Sequence, residues 1–193
     1  MIRDTDMRHA VDSLDAETDL KIYKIFPEAH LPVYGTEWSA CFDLKASMRD
    51  GDTITIITTR NDKRKVSYND GAGSIAFFKD FITIYSGERV LVPTGLIFDL
   101  DETQSLRIHP RSGLAWKQGI TVANCEGIVD ADYVQQTYVM LLNSSSEPFQ
   151  LRDGDRVAQG EIVANNRVWF VEVDKEPTEK TDRIGGLGST GVQ

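Results

Sequence analysis

Only two cysteines, Cys41 and Cys125, occur in the 193 residues. They cannot build a disulfide framework or a zinc quartet, and they suit reduced thiols in a cytoplasmic protein. No apolar run approaches the ~20 residues that a membrane-spanning helix needs. The N-terminal residues are acidic and polar, without the basic-then-apolar layout of a secretory signal. Positive charge is short as well: 21 Lys and Arg stand against 30 Asp and Glu, a formal charge of −9. General nucleic-acid binding takes a basic face, so it is not expected here. Any phosphate-bearing ligand must be held by local arginines, backbone amides or a metal ion. Helical periodicity is almost missing, and that leaves strands.

The strands come as many short alternating runs separated by turn residues. Residues 1–19 are charged and poor in strand formers, and read as an N-terminal extension, either a short helix around Met7–Leu14 or a mobile arm. From Leu20 to Asp174 the texture is that of an all-β domain, a barrel or sandwich. Within it, residues 47–86 read as a hairpin-like insertion with its own small apolar face. Thr53–Ile57 is its strand, Asn61–Lys65 a charged turn, and Asn69–Gly73 a second turn. Gly87–Leu100 gives two strands around Pro93-Thr94-Gly95. Arg156–Val163 alternates again, and Val168–Val173 (VWFVEV) reads as a last strong strand. Residues 175–193 form a polar, glycine-rich tail.

Three stretches carry chemistry. Asn124–Tyr133 holds an amide, a glycine, an acid among apolar neighbours and an aromatic ring within ten residues. It reads as a tight reversal at Glu126-Gly127 between two strands, a hairpin that could present backbone amides to a flat ligand and aim Asp130 at something reactive. In His109–Ala115, Pro110 ends a strand and Ser112-Gly113 can open a short helix with free N–H groups; Arg111 beside them would complete an anion site. Arg183–Gly191 has the glycines, hydroxyls and arginine of a segment that closes over an anion. It follows no buried strand and precedes no helix, so neither phosphate-loop fingerprint applies.

Together these segments resemble the trimeric dUTPase family. Five motifs stand in the family's order: Ala40–Leu44, Pro110–Ala115, Asn124–Tyr133, Gly154–Gln159, and Arg183 followed by Gly185–Gly191. The resemblance implies a jelly-roll-like β fold and a homotrimer whose three sites each draw on all subunits. It implies hydrolysis of dUTP to dUMP and pyrophosphate, which limits uracil incorporation into DNA and supplies dUMP for thymidylate synthesis. Asp130 matches the carboxylate that deprotonates the attacking water. Asn124 and the backbone near Gly127 match the uracil reader, and Tyr133 the ring under the deoxyribose. Arg111, Ser112 and Gly113 match the phosphate turn, and Gln159 a polar contact to phosphate or metal-bound water. Arg183, Ser189 and Thr190 match the arm that closes over the triphosphate. Mg²⁺ is the implied ion, held mostly through phosphates and water, with Asp43 acting on its shell from a distance.

The chain departs from the pattern in places. Cys41 stands where the family usually has glycine, and Val134-Gln135-Gln136 follows Tyr133 where a glycine is usual. Leu187 replaces the ring that stacks on uracil, and the Arg183-to-Leu187 spacing is one residue short. Leucine covers the base but loses a stacking contribution of about 0.5–1.5 kcal/mol. Two other readings were open: a nucleotide-binding regulatory protein acting on a protein partner through residues 47–86, and a dCTP deaminase. The second needs a glutamate on the strand after the third motif, and Thr137–Leu142 contains no acid.

Overall fold

The computed structural model describes residues 19–69, 80–178 and 180–181. The expected helix or arm within residues 1–18 and the turn at 70–73 lie outside them. Fourteen strands and one helix are seen among the described residues. In chain order the strands are β1 (Lys21–Lys24), β2 (Val33–Tyr34), β3 (Phe42–Lys45), β4 (Thr53–Ile57), β5 (Lys63–Ser67), β6 (Ile82–Ile84) and β7 (Arg89–Pro93). They continue with β8 (Leu96–Asp99), β9 (Gln104–His109), the helix α1 (Ser112–Gln118), β10 (Ile120–Val122) and β11 (Gly127–Asp130). The last are β12 (Tyr138–Asn143), β13 (Phe149–Leu151) and β14 (Arg156–Ala164).

Two five-stranded antiparallel sheets dominate, in the orders β10-β12-β7-β4-β5 and β11-β9-β14-β3-β2; two ribbons, β1-β8 and β13-β6, accompany them. Successive side chains on a strand point to opposite faces, so alternation in sequence becomes inside and outside. Ile54 and Ile56, Val90 and Val92, and Val139 and Leu141 turn inward from the first sheet. Phe42 and Leu44, Leu106 and Ile108, and Val129 turn inward from the second, and all belong to one core cluster. Each such side chain contributes roughly 1.5–3 kcal/mol by leaving water. Gly160 in β14 has no side chain because the Phe42 ring lies where a Cβ would project.

Four sequence expectations change. The hairpin in residues 47–86 exists, with Thr53 opposite Ser67 and Ile57 opposite Lys63, but its apolar face is not its own. Ile56 pairs with Val90 of β7, so Ile54 and Ile56 enter the common core. Glu88, only 6% exposed, accepts from the Arg64 guanidinium and from the Tyr85 N–H, tying β5 to the body of the fold. A two-stranded ribbon is marginal alone, and the open edge of β7 offers it a larger core. The charged turn is also shorter than read: Asn61, at φ 64°, turns the chain and Lys63 already begins β5.

Val168–Val173 forms no strand and pairs with none of the described residues, and Trp169 and Phe170 are each 96% exposed. High strand propensity needs a partner edge, and within the described residues this segment has none. Finally, β10 and β11 do not form a hairpin across Glu126-Gly127. β10 pairs with β12 and β11 with β9, so the chain crosses from one sheet to the other there. Each strand buries its apolar face better against its own sheet than against the other.

Candidate active site

Asp43 sits on the outward side of β3, yet it is only 6% exposed, because two arginines cover it. Arg111 Nε donates to one carboxylate oxygen at 2.9 Å, and Arg156 donates to the other at 3.1 Å. Arg111 also reaches the Arg156 carbonyl oxygen at 3.4 Å. A buried carboxylate needs such partners, since leaving it unpaired costs several kcal/mol. Two guanidiniums against one carboxylate leave a surplus positive charge. Arg111 is half-buried and Arg156 exposed, so that charge faces outward.

Arg111 is the residue before α1, extended at φ −86° and ψ 124°, and no side chain caps the helix. The first amides of a helix have no intrahelical acceptors, so those around Ser112 and Gly113 remain available to an anion. Nothing would meet a Cβ at Gly113, so packing within this chain does not require the glycine. A bare backbone there does permit close approach. Gln159 lies opposite Asp43 on β3 and His109 on β9, which puts its amide on the same outward face. Arg111, Ser112, Gly113, Gln159 and Asp43 therefore converge at one corner. Arg156, which completes it, was passed over in the sequence although it stands in Gly154-Asp155-Arg156. Its signal was a basic residue two places before an inward-facing alanine, and only the Asp43 contact gives it meaning.

The second group runs along β11 and the turns at its two ends. Cys125, at φ 64°, makes the turn; its N–H donates to the Val122 carbonyl at 3.1 Å and that of Glu126 to the Asn124 carbonyl at 2.7 Å. Asn124 is exposed in that turn. Gly127 is buried, and a Cβ there would come within 3.1 Å of Ile108 Cβ, so β9 itself demands the glycine. Because β11 is the edge strand of its sheet, one row of its backbone donors and acceptors faces away from β9. Asp130 ends the strand exposed, and its carboxylate meets no partner among the described residues. Tyr133 folds back, its N–H donating to the Asp130 carbonyl at 3.1 Å and its hydroxyl to the Gln136 carbonyl at 3.0 Å. Nearby, burial first, then Tyr133 and Asp52, raise the Tyr138 hydroxyl above its ordinary range.

Within one chain the two groups adjoin at Glu126, 3.6 Å from His109, but Asp130 and Arg111 stand toward opposite ends of β9. Asp130 lies opposite Ser105, and Arg111 follows six residues later along extended backbone. At roughly 3.3 Å per residue they are about 20 Å apart. Arg183, Leu187, Ser189 and Thr190 lie outside the described residues. Among the described residues no helix is long and apolar enough to cross a membrane.

Comparison with known proteins accords with this layout. A family model described as dUTPase matches residues 74–191. A deoxyuridine 5'-triphosphate nucleotidohydrolase of Rhizobium rhizogenes is 36% identical over 162 residues, 84% of this chain and 85% of that protein. One from Nautilia profundicola is 36% identical over 173 residues, 89% of this chain and 98% of its own. In fold, a mutant of the Staphylococcus bacteriophage 80alpha dUTPase with dUpNHpp superposes with a TM-score of 0.67 at 14% identity, covering 91% of this chain and 99% of that one. The Streptococcus mutans dUTPase gives 0.55 at 21% identity, covering 82% and 100%. With its motifs in order on a matching all-β frame, this chain belongs to the dUTPase family.

Proposed function

We propose how this chain, a dUTP nucleotidohydrolase, carries out its reaction. The triphosphate docks at the Asp43 corner, where the Arg111 guanidinium, the amides at Ser112-Gly113 and the Gln159 amide meet its oxygens. The Arg183 arm, with Ser189 and Thr190, closes over it, and Leu187 covers the base. Uracil is read by Asn124 and by the free backbone edge of β11 beginning at Gly127. Such an edge offers donors and acceptors in a fixed order, and cytosine would leave groups unpaired at about 1–3 kcal/mol each. Tyr133, held by its bond to the Gln136 carbonyl, packs against the deoxyribose.

Asp130 then takes a proton from a water molecule, and the water oxygen attacks the α-phosphorus in line with the departing pyrophosphate. Bond formation to water and bond breaking to the β-phosphate leave dUMP, pyrophosphate and a proton. An exposed carboxylate with no partner of its own suits a base that must accept that proton. A carboxylate locked between two arginines, as Asp43 is, does not.

The donor set fits Mg²⁺ bound chiefly through substrate phosphates and water. Both oxygens of Asp43 are engaged by arginine, so it can act on the ion's shell only indirectly, while Gln159 offers an amide oxygen to a metal-bound water. Bound there, the ion would neutralise charge on the phosphates. A dUTPase from phage phi11 of S. aureus is described with a structural Mg(II) ion.

The observation that supports shared sites is that Asp130, opposite Ser105, and Arg111 stand toward opposite ends of β9. A homotrimer brings the Asp130 of one copy to the Arg111 of another. The exposed Val168–Val173 segment is the natural contact between copies, since six residues with Trp169 and Phe170 uncovered suit a neighbour's surface. Deaminase chemistry finds no support: β12, Tyr138–Asn143, carries no acid. The decisive assay incubates the protein with each deoxynucleoside triphosphate and Mg²⁺ and follows pyrophosphate release. Release from dUTP alone, abolished in Asp130→Asn, is expected; full activity of that variant would refute the assignment of Asp130.

A further inference from the structure

On the outward face of the second sheet, next to Asp43 and Gln159 on the same ladder, three chemically distinct side chains crowd together. Cys41 immediately precedes β3, His109 ends β9, and Glu161 lies on β14 between them. The ladder explains the meeting. Gly160 is opposite Phe42, so Glu161 faces the position of Cys41; Gln159 is opposite His109, so Glu161 is diagonal to the imidazole. Diagonal neighbours on one sheet face are within reach of long side chains. One sulfur, one ring nitrogen and one carboxylate oxygen all fall within 4.8 Å of one another, and all three residues are half-buried.

We infer that Cys41, His109 and Glu161 form a binding site for a thiophilic divalent transition metal of the Zn²⁺ class, pinning β3, β9 and β14 together. Four-coordinate zinc places its sulfur, nitrogen and oxygen ligands about 3.3–3.7 Å apart, as bond lengths near 2.0–2.3 Å require. His109 Nε2 and Glu161 Oε2 are already 3.2 Å apart, so only a small inward movement of the thiol is needed. A second carboxylate supports the ring: Glu126 Oε1 lies 3.6 Å from His109 Nδ1, and Arg107 holds Glu126 through a bond of 3.3 Å. Two carboxylates flank the ring, one at each nitrogen. An ion at Nε2 leaves Nδ1–H to Glu126, the arrangement that orients metal-bound histidines elsewhere. A thiolate ligand selects Zn²⁺, Co²⁺ or Cu over Mg²⁺, which keeps this site chemically separate from the ion that accompanies the nucleotide. Burial, with Glu161 adding to it, raises the Cys41 thiol above its ordinary range. Metal binding must therefore expel the thiol proton, leaving sulfur bonded to the ion.

The test uses the full-length protein, stripped with a chelator and returned to Mg²⁺, then titrated with Zn²⁺ or Co²⁺. One ion should bind per chain, and the Co²⁺ form should show the near-ultraviolet absorption of a thiolate-to-metal transition. Cys41→Gly, which places there the residue usual in the family, should lose that band and weaken Zn²⁺ binding by at least ~100-fold while still turning over dUTP. Glu126→Gln should weaken binding by about 10-fold, as loss of an orienting partner does. Cys125→Ser should change neither. Absence of the thiolate band, equal binding by Cys41→Gly, or loss of the band in Cys125→Ser would each overturn the site. Should Cys41→Gly fail to fold, His109→Gln and Glu161→Gln are read by the same titration, and undiminished binding in both overturns it equally. None of these readouts depends on the catalytic assignments above.

Discussion

The two ends of β9 make opposite use of a carboxylate. At one end Asp43 is buried and saturated by Arg111 and Arg156, and its work is to hold two cations in place. At the other end Asp130, across the ladder from Ser105, is exposed and unengaged by the described residues. The first acid holds two guanidiniums beside the start of α1; the second is open to solvent. Their contrast follows from the neighbours each strand supplies, since the two side chains are chemically identical.

The strongest way to break the comparison is to exchange its terms. Asp130→Asn should lower kcat by roughly 10²–10⁴, the usual worth of a positioned base, without moving the melting temperature, because the side chain touches nothing structural. If turnover persists, the open acid is not the base. Arg111→Ala should act mainly on substrate binding, raising KM by about 10- to 100-fold for a lost charged hydrogen bond of about 1.5–3 kcal/mol. It should also lower the melting temperature, since Asp43 loses one of its two partners.

Mixing subunits separates this account from one in which each chain has a complete site. Asp130→Asn and Arg111→Ala, unfolded and refolded together, should regain part of the activity that each lacks alone. If the mixture stays as inactive as its parents, the sharing of sites between copies is wrong. A smaller effect is expected from Trp169→Asp, which should shift the assembly toward lighter species in light scattering while leaving the sandwich core intact. Smallest is Leu187→Phe, which restores a stacking ring and should tighten dUTP binding by about 2- to 10-fold, matching 0.5–1.5 kcal/mol. An unchanged or weakened affinity would count against the base-covering role of Leu187.

Much of the frame was legible in the chain. Strand patterning located β7, β8, β9, β12 and β14, because a half-buried strand writes its inside and outside into every second residue. Pro110 and Ser112-Gly113 marked the end of β9 and the start of α1. Other features had no local signature. Thr53–Ile57 and Val168–Val173 look alike as strand formers, but the first meets β7 and the second pairs with no strand among the described residues. The supposed hairpin at Glu126-Gly127 failed for the same reason. A turn can be read from a few residues, but which edge each arm joins depends on strands far away in sequence.

The site shows the same division. Residue types and their order pointed to the family: an acid in Asn124–Tyr133, an arginine before Ser112-Gly113, an amide in Gly154–Gln159. They also determined that the chain is all-β, and a net charge of −9 offers no general attraction to anions. Only the tertiary structure decided that Asp43 is locked and Asp130 free, or that β9 holds Arg111 and Asp130 about 20 Å apart. It alone brought Cys41 beside His109 and Glu161, residues 68 and 120 positions away in the chain. Long-range ladder register set these meetings. Sequence neighbours constrain backbone geometry, whereas burial, pairing and charge compensation are properties of what the folded chain places next to each group.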